Sequence, residues 1–99
     1  MLYAFICRDV PNSLPLRQAT RPRHLEYVRP LVEQGRMVFA GPHPAIDSPD
    51  PGPAGFTGSL IIAEFESLEA AKAWSASDPY VLEGVFAEVE IKPVLQTLP

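Results

Sequence analysis

The spacing of apolar and polar residues divides the chain into alternating strand-like and helix-like stretches. The predicted strands are Leu2–Arg8, Arg36–Ala40, Ser59–Phe65 and Val85–Lys92. The first is rich in aromatic and apolar residues and stops at "RDVPNS". The last alternates, with apolar residues at every second position and charged residues between them, and Pro93 is expected to end it.

A long helix is predicted between the first two strands. Apolar residues recur at helical spacing at Leu25, Val28, Leu31 and Val32. Thr20 is the expected N-cap and Gly35 the expected C-terminal stop. Pro22 disfavours helical dihedrals at the residue before it, so Ser13–Ala19 is expected to form a separate turn. Pro30 removes one backbone hydrogen bond and should kink the helix.

Two shorter helices are predicted in the second half of the chain. Ser67 is placed to cap "LEAAKAWSAS", and Asp78 to cap a short helix that begins with Pro79 and stops at Gly84. The resulting order is β-α-β-β-α-β, with the short helix before the last strand. This order predicts one α+β domain over residues 1–99, with the ferredoxin-like split β-α-β arrangement and an antiparallel four-stranded sheet.

The predicted helices are too few to cover both faces of the predicted sheet. Two helices cover only one face, yet the first and third strands are apolar on both: Leu2, Ala4 and Ile6 against Tyr3, Phe5 and Cys7, and Leu60 and Ile62 against Ile61, Ala63 and Phe65. The uncovered face must therefore be buried against something, and a second copy of the chain is the simplest partner. We expect a homodimer formed sheet against sheet.

Composition excludes several classes of function. The net charge of −4 and pI near 5.0 argue against a nucleic-acid or anionic-membrane surface. No apolar run is long enough for a membrane span, and the N-terminus lacks the pattern of a signal peptide. The single cysteine, Cys7, lies in an apolar run, where a buried inert thiol is expected. The cytoplasm is the predicted location.

His24 is the first candidate for chemistry. It shares a helix face with Val28 and Leu31, so it points toward the sheet, where it is either a hydrogen-bonded histidine at the edge of the core or a functional base. Placed near the predicted helix start and beside Arg17, Arg21 and Arg23, the imidazole should favour its neutral form, as a general base requires. The arginines would attract an anionic substrate, or else form a solvated helix face.

Asp78 is the second candidate. Capping explains it, but Ser, Thr or Asn would cap nearly as well. In the predicted fold, the loop before the last strand and the start of the first helix could share one end of the sheet. Asp78 would then hold the His24 imidazole in one tautomer while still capping its helix.

Other residues are candidates to line a cleft around His24. Asp9, Ser13, Arg17 and Arg21 precede it, Tyr80 could supply a wall or a phenol donor, and Gly41, Pro42 and Ser59 lie at the ends of the second and third strands. Gly41–Gly58 holds five of the twelve prolines and is expected to be a long loop, in which the role of residues 42–57 stays open. His43, Asp47 and Asp50 match no metal-ligand spacing, and no phosphate loop is present, so no metal or cofactor is implied.

Three segments together resemble one known family: "RPRHLEYVRPLVEQGRMVFAGP", "GFTGSLIIAEFESLEAAKAWSASDPYVLEGVF" and "VEIKP". In order and spacing they are similar to the YciI-like (YCII-related) family over nearly the whole chain. The resemblance implies a ferredoxin-like dimer with one cleft per subunit and a His–Asp site that falls on His24 and Asp78. It also implies a small-molecule enzyme without a cofactor, since one relative is a dehydrochlorinase of a chlorinated hydroxyquinol.

Mainly on the strength of this resemblance, we expect a small-molecule enzyme that performs proton transfer or elimination on an anionic or phenolic substrate. His24 would act as the acid or base, and Asp78 would orient it. Arg17 and Arg21 would bind the substrate, with Asp9 and Ser13 as polar lining. The alternative is a non-catalytic metabolite-binding or accessory dimerisation module that uses the same cleft.

Overall fold

The computed structural model describes residues 1–99, in four strands and three α-helices. In chain order the elements are β1 (Leu2–Asp9), α1 (Leu14–Glu33), β2 (Met37–Pro44), β3 (Phe56–Glu64), α2 (Leu68–Ala76), α3 (Pro79–Leu82) and β4 (Phe86–Val94), with a short 3-10 turn at Gly52–Ala54 before β3. The chain is thus α+β, as the sequence predicts.

The strands form one antiparallel sheet in the order β2-β3-β1-β4. This is the strand order of the split β-α-β arrangement, which confirms the predicted fold class. The pairing of Cys7 with Ser59 on one side and with Val89 on the other sets the register of the central strand β1. The C-terminal end of β1 and the N-terminal end of β3 therefore lie side by side at the end of the sheet where α1 begins.

The core lies between the helices and one face of the sheet. Odd-numbered residues of β1 and β3 point into it, and Phe5 and Ala63 are almost completely enclosed. Trp74 of α2 packs edge-on against Phe5, with ring centroids 5.3 Å apart. Even-numbered residues point to the opposite face, where Ile6 is 40% exposed. The two-residue period of the strands therefore separates a covered face from an open one.

Helix α1 is one continuous helix and begins earlier than predicted. Ser13, not Thr20, is its N-cap residue, and Thr20 lies buried inside the helix. Pro22 removes only one internal hydrogen bond, at the carbonyl of Gln18, and the hydrogen bonds of Arg17 to Asp9 and Ser59 hold this part of the helix in place. The separate turn expected at Ser13–Ala19 was wrong.

Two strand boundaries also differ from the prediction. β2 continues through Pro42 to Pro44 and β3 begins at Phe56, so the predicted long loop is reduced to residues 45–55. Pro93 lies within β4, opposite Tyr3, instead of ending the strand. β2 and β4 are the two edge strands, where proline is tolerated because one side of the strand makes no ladder.

No helix combines the length and the apolar character that crossing a bilayer requires. The cytoplasmic location stays a prediction.

Candidate active site

Asp78 caps the short helix α3. Its backbone is extended, with φ −62° and ψ 128°, and its Oδ1 accepts a hydrogen bond of 2.9 Å from the backbone N–H of Tyr80. Pro79 occupies the first helical position, where its missing N–H costs nothing, and Gly84 follows the helix with a positive φ of 79°. Local sequence thus fixes the direction of this carboxylate.

The same carboxylate oxygen binds His24. Nδ1 of His24 lies 2.8 Å from Asp78 Oδ1, and the side chains are only 12% and 3% exposed. An ionised carboxylate only accepts hydrogen bonds, so Nδ1 is the donor of this pair, and in the neutral form of the ring Nε2 carries the lone pair. Thr20 Oγ1 is the one buried side-chain polar atom without a partner. Nε2 of His24 also has no hydrogen bond within the chain, but it is not among the fully buried atoms.

His24 lies in the middle of α1, ten residues after Leu14. The expectation that a helix N-terminus would favour the neutral imidazole was therefore wrong, because the dipole effect fades within the first turn. His24 points inward because of its place in the helical repeat. The inner face of α1 carries, at three- and four-residue spacing, Arg17, Thr20, His24 and Val28.

Tyr80 packs against His24 and connects it to Arg17. The two rings are stacked, with centroids 3.9 Å apart and 7° between their planes. The Tyr80 hydroxyl donates a long hydrogen bond of 3.4 Å to the Arg17 carbonyl, and the Arg17 guanidinium lies 5.0 Å from the Tyr80 ring centre. Burial raises the pKa of Tyr80, although the nearby Arg17 and Arg21 charges oppose that rise. The phenol thus stays protonated at neutral pH.

Arg17 is buried in a hydrogen-bonded network. Its Nε and Nη2 donate to the two carboxylate oxygens of Asp9, at 2.8 and 3.2 Å, and Nη2 also donates to Ser59 Oγ at 2.7 Å and to the Gly58 carbonyl at 3.1 Å. Ser13 Oγ donates to Asp9 at 2.6 Å. Asp9 and Ser13 therefore lie behind Arg17 rather than along the cleft, and most of Arg17's donors are already used. Its Nη1 alone is free.

A cleft of about 180 Å³ opens beside His24. Of the predicted residues, it is lined by Arg17, Arg21, Gly41, Pro42, Ser59 and Tyr80. Arg21 is exposed and forms no ion pair, and no acidic residue lines the cleft. The cleft therefore offers one proton acceptor and one unpaired cation, enclosed by strand backbone and apolar side chains.

Leu25, Ala40 and Ile61 also line the cleft, and sequence reasoning did not propose them. The period of two was the available signal: Ala40 shares a strand face with Pro42, and Ile61 with Ser59. Leu25, which helical spacing groups with Val28 and Leu31, is 38% exposed beside the cleft.

A larger depression of about 530 Å³ lies at the other end of the sheet, beside Met1 and Arg36. It contains no acid–base pair comparable to His24 and Asp78, and Arg36 already donates to Gln34 and to the Glu64 carbonyl. His43 lies elsewhere again, opposite Gly58 in the sheet. We therefore take the cleft at His24 as the candidate site.

Fold and cleft place the chain among small α+β proteins that hold a histidine–carboxylate pair beside a pocket. The chain belongs to the YCII-related domain family, which matches residues 1–95. It is 55% identical over 93 residues to protein YciI of Escherichia coli O6:H1, covering 94% of this chain and 95% of that protein. A second relative is protein C of the derivative of benzaldehyde biosynthesis cluster, from Emericella nidulans. It is 33% identical over 89 residues, covering 84% of this chain and 88% of that protein.

One solved structure is similar over nearly the whole chain. It is the 5-chloro-2-hydroxyhydroquinone dehydrochlorinase of Burkholderia phenoliruptrix in complex with 2,5-dihydroxybenzoquinone. The TM-score is 0.85 and the identity 27%, with 96% of this chain and 94% of that chain covered. A small-molecule enzyme is thus among the proteins that share this fold at recognisable sequence identity.

Proposed function

We propose that the chain is a cofactor-free enzyme that performs proton transfer or elimination on a small anionic or phenolic substrate. The observation that carries the proposal is the 2.8 Å hydrogen bond between His24 Nδ1 and Asp78, which leaves Nε2 of this cleft-lining residue without a partner in the chain. In this role Nε2 takes the proton from substrate, and Asp78 stabilises the imidazolium that forms.

The cleft supports the remaining requirements of that chemistry. Arg21 has no ion-pair partner, and Arg17, although paired with Asp9, keeps the N–H donors of Nη1 free, so both suit an oxyanion that develops during the reaction. In an elimination, the leaving group departs with the electron pair of its bond after the proton is removed. The dehydrochlorinase that shares the fold supports this reaction class for the present chain.

We also propose that two copies pack sheet against sheet in the manner of a dimeric α/β barrel. The open face carries Leu2, Ala4, Ile6, Phe39, Leu60 and Ile62. Phe39 and Ile6 are 50% and 40% exposed, which a lone chain would leave in water. A second copy would bury them while leaving the cleft, on the helix side, accessible.

The proposed activity is tested with 5-chloro-2-hydroxyhydroquinone and related hydroxylated rings, measuring release of chloride or loss of substrate. We expect His24→Ala to lower the rate by roughly 10²–10⁴-fold with the fold intact. His43→Ala is the matched control and should keep the full rate. A His24→Ala variant as active as wild type would remove the base from the mechanism. Binding without turnover would favour the metabolite-binding alternative.

A further inference from the structure

The residues that follow β4, Leu95–Pro99, lie beside one end of the open sheet face. This C-terminal segment lines a groove of about 290 Å³ together with Leu2 of β1, Val38 of β2 and Ile62 of β3. β2 lies three strand spacings, or about 14 Å, from β4, and a segment of this length spans up to about 17 Å. The C-terminal segment is therefore long enough to cross the whole end of the sheet.

A β-bulge adds apolar surface to the open face beside this groove. Met37 pairs with Ala63 on the core side, whereas Phe39 pairs with Ile62 on the open side, so Val38 is the extra residue between them. Strict alternation would have turned Phe39 back toward the core side. The bulge instead gives the open face two adjacent apolar side chains, Val38 and Phe39, and both are exposed.

The C-terminal segment is itself apolar and uncovered. Leu95 and Leu98 are 79% and 82% exposed, more than any other large apolar side chain of the protein. No residue of the segment has a charged side chain. Because these leucines gain nothing from the core of their own chain, a surface that covered them would remove most of their apolar area from water.

The open face alone is small for a stable dimer. On β4 it carries charged side chains, of which Glu88 pairs with Arg8 at 3.1 Å and Lys92 with Glu90 at 3.9 Å. Four strands of eight or nine residues give the whole face an outline of roughly 500 Å², which is less than the about 800 Å² that each partner buries in a standard interface. A second copy therefore needs apolar surface beyond the three apolar strands.

We propose that the C-terminal segment is an arm of the dimer interface, and that Leu95 and Leu98 of each copy pack on the open face of the other copy. The groove behind the arm then encloses side chains of that second copy. This inference rests on the sheet-to-sheet dimer proposed above and adds a contact that sheet packing alone does not supply. Residues 96–99 lie beyond the family match at residues 1–95, so membership of the family does not imply the arm.

The dissociation constant of the dimer, from sedimentation equilibrium, measures what the arm contributes. The double variant Leu95→Gln/Leu98→Gln removes four buried leucines per dimer, so we expect its dissociation constant to rise at least about 100-fold. A chain that stops after Val94 should behave in the same way. Leu82→Gln is the matched control, because Leu82 is an exposed leucine of α3, away from the open face, and it should associate like the wild type.

Isotope-filtered NMR on dimers of labelled and unlabelled chains shows on which copy the arm packs. We expect contacts between the leucine methyls of the arm in one copy and Ile6 or Phe39 of the other. A monomeric wild type, an unchanged dissociation constant in the double variant, or contacts confined to one chain would each overturn the inference. If only the arm variants leave association unchanged while Ile6→Glu is monomeric, the arm fails and the sheet-to-sheet dimer stands. Turnover at the cleft judges the proposed activity separately.

Discussion

Tyr27 of α1 donates a 2.6 Å hydrogen bond to the carbonyl of Trp74, and the two aromatic rings stack with centroids 5.3 Å apart. Trp74 lies in the last turn of α2, and its carbonyl also accepts from the Ser77 N–H at 3.2 Å. Asp78 follows directly. Helix α1 therefore contacts this region twice. His24 binds Asp78, and Tyr27, three residues later in the same helix, binds the end of α2 just before Asp78.

Replacing Tyr27 with Phe should loosen that segment without unfolding the protein. The ring stacking stays, and one hydrogen bond worth about 1 kcal/mol is lost. Burial raises the pKa of Tyr27, so the phenol remains a donor throughout the neutral range and the effect should not depend on pH there. Amide hydrogen exchange at Ser77 and Asp78 measures it, and we expect exchange about fivefold faster. Tyr3→Phe, whose hydroxyl makes no hydrogen bond, is the control. Equal acceleration in both variants would deny Tyr27 this role.

Asp78→Asn separates capping from charge. Asn caps a helix as well as Asp does, so α3 should persist and the thermal midpoint should change little. The Nδ1–H of His24 loses its ionised acceptor, so the tautomer with the proton on Nδ1 should be less populated. The nitrogen chemical shifts of both histidines check this, with His43 as the internal reference. If the tautomer of His24 does not change, Asp78 is a cap and nothing more.

Ile6→Glu tests the proposed dimer. The substitution places a charge in the middle of the open sheet face, which a second copy cannot cover without burying it. Light scattering after size-exclusion chromatography should report a monomer. Val32→Glu is the matched control, since Val32 is 58% exposed on the helix side, and it should leave the assembly unchanged. A dimeric Ile6→Glu variant would place the interface elsewhere.

Alkaline pH should destabilise the fold through Cys7. Burial raises the pKa of the Cys7 thiol from 9.0 to about 12, with Asp78 and Asp9 adding to the rise. The unfolded chain loses this proton near pH 9 and the folded chain keeps it, so stability is complete below that pH and falls between about pH 9 and 12 at up to about 1.4 kcal/mol per pH unit. Urea unfolding at several pH values measures the slope. Cys7→Ala should show a shallower slope, and an identical one would contradict the assignment.

The sequence predicts the sheet and the His24–Asp78 pair better than it predicts the surroundings of that pair. Strand order follows from apolar runs and glycine or proline stops, which are local signals. The start of α1 does not, because the cost of Pro22 is local, whereas the contacts that hold Arg17 depend on tertiary structure. Arg17 was expected to bind substrate, and no local pattern shows that Asp9 and Ser59 converge on it from two strands.

Arg17 and Arg21 should respond differently to the same substitution. Arg17→Lys replaces a planar fork that reaches Asp9, Ser59 and the Gly58 carbonyl with a single ammonium, which cannot reach all three. Because a carboxylate 6% exposed is left poorly paired, we expect a loss of about 3 kcal/mol or more in the free energy of unfolding. Arg21→Lys removes no side-chain hydrogen bond or ion pair within the chain and keeps the charge, so its stability should match the wild type within about 0.5 kcal/mol. Urea denaturation compares the two variants, and equal stabilities would mean that the buried network contributes little to the fold.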